Sequence, residues 1–239
     1  MKLAVLMGAG ASFGCGNVDP EAPPLGNQLF EKLKRALPDS WGSLLTSDEN
    51  DVFRCDFEQG MAQIRRKPAA QRLLIDMALY FSTFRATGPN CYSRLLELLD
   101  RTPDLQCVFC TLNYDLLLEQ AITSNGRSLW TLGRTVGVVG PPPVAVLKPH
   151  GSCNYIHPLT RNVRDMAMSE SEHYLYTESS DPSQLEIVCA DELSRIYTEV
   201  GLSLPPAISL YEPKKHHPVA SKVIEGFAPA GRTSRRRLM

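Results

Sequence analysis

Leu3-Ala-Val-Leu-Met7 runs directly into Gly8-Ala-Gly10-Ala-Ser12-Phe-Gly14. A short apolar run that stops at a glycine turn reads as a buried parallel strand feeding a helix. Glycine has no Cβ, so backbone N–H groups there can approach a phosphate closely, and the start of a helix favours the negative charge. The stretch predicts the opening strand–turn–helix of a nucleotide-binding α/β domain. Glycines at 8, 10 and 14 make a loosened dinucleotide fingerprint, whose third glycine ordinarily falls one residue earlier. The plainer reading is any strand-to-helix turn. Lys2 before an apolar run also suits a secretory leader, but the run is short, Gly8 interrupts it, and no small-x-small cleavage pattern precedes the proline-rich segment 19–24.

The 239 residues suit one domain, 1–239, with a helical insertion. The 25 Lys and Arg nearly cancel the 26 Asp and Glu, so direct nucleic-acid binding is not expected. The exception is a basic tail, 228–239, holding Arg232, Arg235, Arg236 and Arg237 and expected to be disordered. No apolar run approaches bilayer length, so no membrane association is expected. Seven cysteines, odd in number and irregular in spacing, suit buried free thiols in a cytoplasmic protein. Cys107-Val-Phe-Cys110 has zinc-like spacing but no second such pair. On a strand the two side chains also point to opposite faces. No metal is therefore expected.

Apolar periodicity predicts helices over 27–37, 68–85 and 91–101, which together make an insertion at about 27–101. Residues 39–55 are polar and weakly patterned, and Pro20–Pro24 reads as a rigid loop across the front of the glycine turn. A strand over 105–111 leads through Leu112-Asn113-Tyr114-Asp115 into a helix from Leu116 to Ile122. A strand over 144–147 delivers Lys148-Pro149-His150-Gly151-Ser152. Residues 158–184 read as a long loop or lid, and 185–189 and 205–211 as further strands. Strands separated by helices imply an α/β, Rossmann-like, mostly parallel sheet with helices on both faces.

In such a sheet, ligands sit beyond the carboxyl ends of the strands. Gly8–Ser12, Asn113–Asp115 and His150–Ser152 each follow a strand, so all three are expected to converge on one crevice. Taken singly each has a plainer reading: Asp115 as a helix cap, Asn113 as a turn residue, a histidine as structural or solvated. His157, His173, His216 and His217 stay in that plainer class.

Gly8-Ala-Gly-Ala-Ser12, Thr111-Leu-Asn-Tyr-Asp115 and Lys148-Pro-His-Gly-Ser152, in that order, resemble the sirtuin-like NAD-consuming superfamily. Pro23-Pro-Leu-Gly-Asn-Gln-Leu29 and the late Pro205-Pro206…Leu210-Tyr211 resemble its branch in bacterial antiphage defence, which lacks the zinc module. The resemblance spans 1 to about 215. It implies an NAD+ pocket made by Gly8, Ala9, Gly10, Ala11, Ser12, Asn113, Asp115, His150, Gly151 and Ser152, with Asn113 and His150 as catalytic pair and NAD+ as substrate. It also implies an NAD+ hydrolase acting in antiphage defence, a homo-oligomer, and gating by assembly or by a co-encoded partner such as a HerA-type ATPase. Protein deacylation is disfavoured, because no four-cysteine module can be assembled and Gly14-Cys-Gly-Asn-Val-Asp-Pro stands where deacylases carry an Ile-Pro-Asp-Phe-Arg-like segment. A dehydrogenase would carry a ribose-selecting residue about twenty residues past the glycines; that position falls in the 27–37 helix. A catalytically silent nucleotide-binding scaffold is the remaining alternative.

Overall fold

The computed structural model describes residues 2–64, 67, 69–102, 105–137, 142–161, 184–200 and 204–208. The main sheet contains β1 (Lys2–Met7), β4 (Gln106–Thr111), β7 (Val144–Leu147), β5 (Leu129–Thr131) and β6 (Arg134–Val136), in the spatial order β1-β4-β7-β5-β6. The first four run parallel and β6 returns antiparallel, which gives the mostly parallel, Rossmann-like α/β fold. Two short strands, β2 (Val18–Asp19) and β3 (Arg85–Ala86), pair with each other, as do β8 (Tyr155–Ile156) and β9 (Glu186–Ile187).

Between β1 and β4 the chain forms α1 (Ala9–Phe13), α2 (Gly26–Ala36), α3 (Ser47–Cys55), α4 (Phe57–Ile64), α5 (Ala69–Ser82) and α6 (Cys91–Asp100). α7 (Leu117–Ser124) follows β4, a 3-10 turn covers Pro158–Arg161, and α8 (Ala190–Val200) follows β9. The predicted helices over 27–37, 68–85 and 91–101 correspond to α2, α5 and α6. The weakly patterned 39–55 contains α3. Its start is fixed by reciprocal bonds: the Thr46 hydroxyl accepts from the Glu49 N–H, and the Thr46 N–H donates to the Glu49 carboxylate at 2.8 Å.

Register puts Val5, Met7, Phe109, Thr111, Val144, Val146 and Leu129 on one face of the sheet. The apolar residues of that face share a core with Leu29, Phe30 and Leu33 of α2, Leu73 and Met77 of α5, Leu96 of α6 and Leu117 and Ile122 of α7. Leu6, Cys110 and Leu147 form a row on the opposite face and are half-buried or exposed among the described residues. Among the described residues β1 is thus an edge strand, with Leu6 71% exposed, rather than the buried strand its apolar run suggests.

A second packing unit shapes the insertion. Phe30, Trp41, Phe53 and Phe57 meet ring to ring, Phe30–Phe53 stacked at 5.0 Å and Trp41–Phe57 stacked at 5.7 Å between centroids. The Trp41 indole donates to the Leu73 carbonyl at 3.2 Å and ties the cluster to α5. Gly60 lies against Phe53; a Cβ there would stand 2.5 Å from the ring. α3 and α4 are thereby held as one wall.

Of the long loop or lid read over 158–184, residues 162–183 lie outside the described residues, as does the tail 228–239. Of the late strand expected over 205–211, Ile208 makes an isolated bridge to Gly151, and 209–211 are not described.

Candidate functional site

The carboxyl ends of β1, β4 and β7 are neighbours in the sheet, so the turns that follow them are neighbours too. A cleft of about 430 Å³ opens there. Gly8, Ala9 and Ser12 line it from the first turn, Leu112, Asn113, Tyr114 and Asp115 from the second and His150 from the third. Pro23 and Pro24 close one side, as the proline loop implied, and Phe53–Glu58 of the α3–α4 wall close another.

Ser12 is the hub. It is 1% exposed, and its Oγ accepts from the Asn113 side-chain amide at 2.8 Å and meets the Tyr92 hydroxyl at 2.8 Å. The Ser12 hydroxyl also favours the charged form of the neighbouring Asp115 carboxyl. A hydroxyl has one proton to give and two lone pairs to offer, so Ser12 holds both side chains at once. Asn113 is held in turn by its N–H, which donates to Thr111 Oγ1 at 3.2 Å.

Asp115 also accepts from the Leu117 N–H at 3.1 Å, so it caps the start of α7 as well as reaching Ser12. Burial raises its pKa above the usual carboxylate range; the Lys148 charge and the Leu117 and Ser12 bonds oppose that rise. Lys148 has no side-chain exposure. Its ammonium donates to the Asp115 carbonyl at 2.7 Å and to Glu119 at 2.8 Å, which pins the Asn113–Asp115 turn from below. Burial also raises the pKa of the Tyr92 and Tyr114 hydroxyls, keeping both neutral.

Other expected site residues sit away from the lining. The Ala11 N–H donates to the Gly8 carbonyl at 2.9 Å, and Gly10 accepts from Gly14 at 3.0 Å, so part of the glycine loop's polarity is spent on its own turn. Ser152 is fully buried beneath the site. Gly151 has φ +77°, and a Cβ there would fall 1.7 Å from the Ala207 carbonyl oxygen, so this position excludes every residue with a side chain.

Two contributors were not singled out from the sequence. Tyr92 reads there as one member of the apolar stripe of α6, although a buried tyrosine hydroxyl needs a partner and finds it in Ser12. The wall residues Phe53–Glu58 fall partly in the stretch read as unpatterned. The cysteines are also less uniformly buried than their number suggested: Cys15 and Cys153 are buried, Cys107 and Cys110 half-buried, and Cys55, Cys91 and Cys189 exposed.

Among the described residues no helix is long and apolar enough to cross a membrane. No protein-family model and no curated protein matches the chain.

Proposed function

We propose that the protein is an NAD+ glycohydrolase that splits the nicotinamide–ribose bond to give nicotinamide and ADP-ribose. The supporting observation is that Ser12, Asn113, Asp115 and His150, distant in sequence, line one cleft beyond three adjacent strand ends. A cleft of this volume falls in the range of small-molecule sites.

The bond joins a cationic pyridinium to ribose, so it breaks through an oxocarbenium-like state and releases neutral nicotinamide. The catalytic need is to hold the ribose while water arrives and to take one proton from that water. His150 is the base, since imidazole titrates near neutrality. The carbonyl of the Asn113 amide remains to accept from a ribose hydroxyl or the attacking water while its NH2 is held by Ser12. Ser12 keeps that amide oriented, and Thr111 holds the Asn113 backbone. On this reading the pyrophosphate runs along the glycine turn, at Gly8 and Ala9. Following the resemblance, we propose that the activity depletes NAD+ in antiphage defence and is gated by homo-oligomer assembly or by a co-encoded HerA-type ATPase.

Asn113→Ala and His150→Ala are each expected to slow NAD+ loss about a hundred- to ten-thousand-fold while circular dichroism stays unchanged. The assay is purified protein with NAD+, products resolved by chromatography, with and without co-encoded proteins. Full activity in both variants overturns the assignment. Reduced cofactor in place of free nicotinamide would identify a dehydrogenase, and binding without turnover under every condition a scaffold.

A further inference from the structure

The helical insertion leaves and re-enters the sheet domain through a narrow neck. Residues 15–19 go out and residues 85–91 come back antiparallel: β2 pairs with β3, the Thr87 N–H donates to the Asn17 carbonyl at 2.9 Å, and the Cys91 N–H donates to the Cys15 carbonyl at 2.9 Å. A direct backbone bond of that kind sets two Cα atoms within the spacing a disulfide spans. The Cys91 sulfur reaches the Ala11 carbonyl at 3.7 Å, on the α1 turn just before Cys15.

We propose that Cys15 and Cys91 form a reversible disulfide that clamps this neck and fixes the helical wall of the cleft against the glycine turn. The site is asymmetric in a way that orders the chemistry: Cys91 is exposed, whereas Cys15 is 4% exposed. A low-molecular-weight disulfide such as oxidised glutathione meets Cys91 first. The Cys91 thiolate attacks one sulfur and expels one glutathione thiolate. Cys15, losing its proton, then attacks the Cys91 sulfur of the mixed disulfide and expels the second. Two protein S–H bonds are lost and one S–S bond forms; oxidised glutathione is reduced to two glutathione thiols, which carry both protons. Burial holds both thiols above their ordinary pKa, Cys15 at about 12, so the bond forms slowly and its thiolates are poor leaving groups once it exists.

The clamp reaches the site through Tyr92, the residue after Cys91, whose hydroxyl holds Ser12. That consequence rests on the nucleotide reading of the cleft; the crosslink does not.

The test treats the full chain with oxidised glutathione, alkylates remaining thiols and maps peptides by mass. A linked pair of the Cys15 and Cys91 peptides, reversed by dithiothreitol and absent in Cys91→Ser, is expected. Closing residues 15–91 is expected to raise the thermal midpoint by roughly 5 °C in oxidised wild type, and not in Cys91→Ser. Neither readout uses NAD+, so failure here is separable from failure of the glycohydrolase reading. Cys91 trapped as a stable glutathione adduct with Cys15 free, a bond to another cysteine, or both thiols fully alkylated would overturn the proposal.

Discussion

At the scale of single residues, the site is a set of side chains that satisfy one another before any ligand arrives. Ser12 accepts from the Asn113 amide and shares a hydrogen bond with the Tyr92 hydroxyl, beside the buried Asp115. The cost falls on Asp115. Burial raises its folded pKa, so the folded protein holds that proton more tightly than the unfolded chain does. The group therefore weakens the fold as pH climbs from the ordinary carboxylate range through the folded value. Asp115→Asn is expected to raise the denaturant midpoint at pH 7, with the gain vanishing toward pH 3, and, on the proposed glycohydrolase reading, to lower NAD+ turnover. A midpoint lowered equally at both pH values would contradict this. The placing of Asn113, Asp115 and His150 at the cleft was legible because each follows an apolar strand at a polar turn. Tyr92 was not, because one letter cannot tell whether a tyrosine contributes its ring or its hydroxyl.

Elements were legible where a face is apolar and obscure where a local bond decides. α2, α5 and α6 announce themselves by periodicity. α3 starts from Thr46-Ser-Asp-Glu49, a capping pattern present in the letters but masked by the polarity around it. The β5–β6 hairpin turns on Leu132 and Gly133, both at positive φ. Leucine is an unusual occupant of that position, so the usual Asn-Gly or Asp-Gly signal is missing. The α3–α4 wall depends on Trp41, which is fully buried among three phenylalanine rings. Trp41→Ala is expected to cost about 3–5 kcal/mol in chemical denaturation. It is also expected to speed amide exchange in α3 and α4 more than in β4; uniform acceleration would show that the wall is not a separate packing unit.

For the whole molecule, alternation of helix and strand was enough to give the fold class, but not the strand order. Nothing in Leu3-Ala-Val-Leu-Met7 says that β1 ends at the sheet's edge, because apolar runs look alike whether one face or two are covered. Burial across the sheet is correspondingly uneven. Phe109→Ala, in β4, is expected to destabilise by about 3–5 kcal/mol, whereas Leu6→Thr should stay within about 0.5 kcal/mol, both read from urea midpoints. A large loss from Leu6→Thr would mean that this face is covered in solution. The corner bearing His150 has its own order of assembly. The Ser152 N–H donates to the Ala207 carbonyl, the Ala207 N–H to Tyr155, and Gly151 bridges Ile208. A nascent chain therefore cannot finish shaping its histidine turn until translation has carried residue 208 clear of the ribosome.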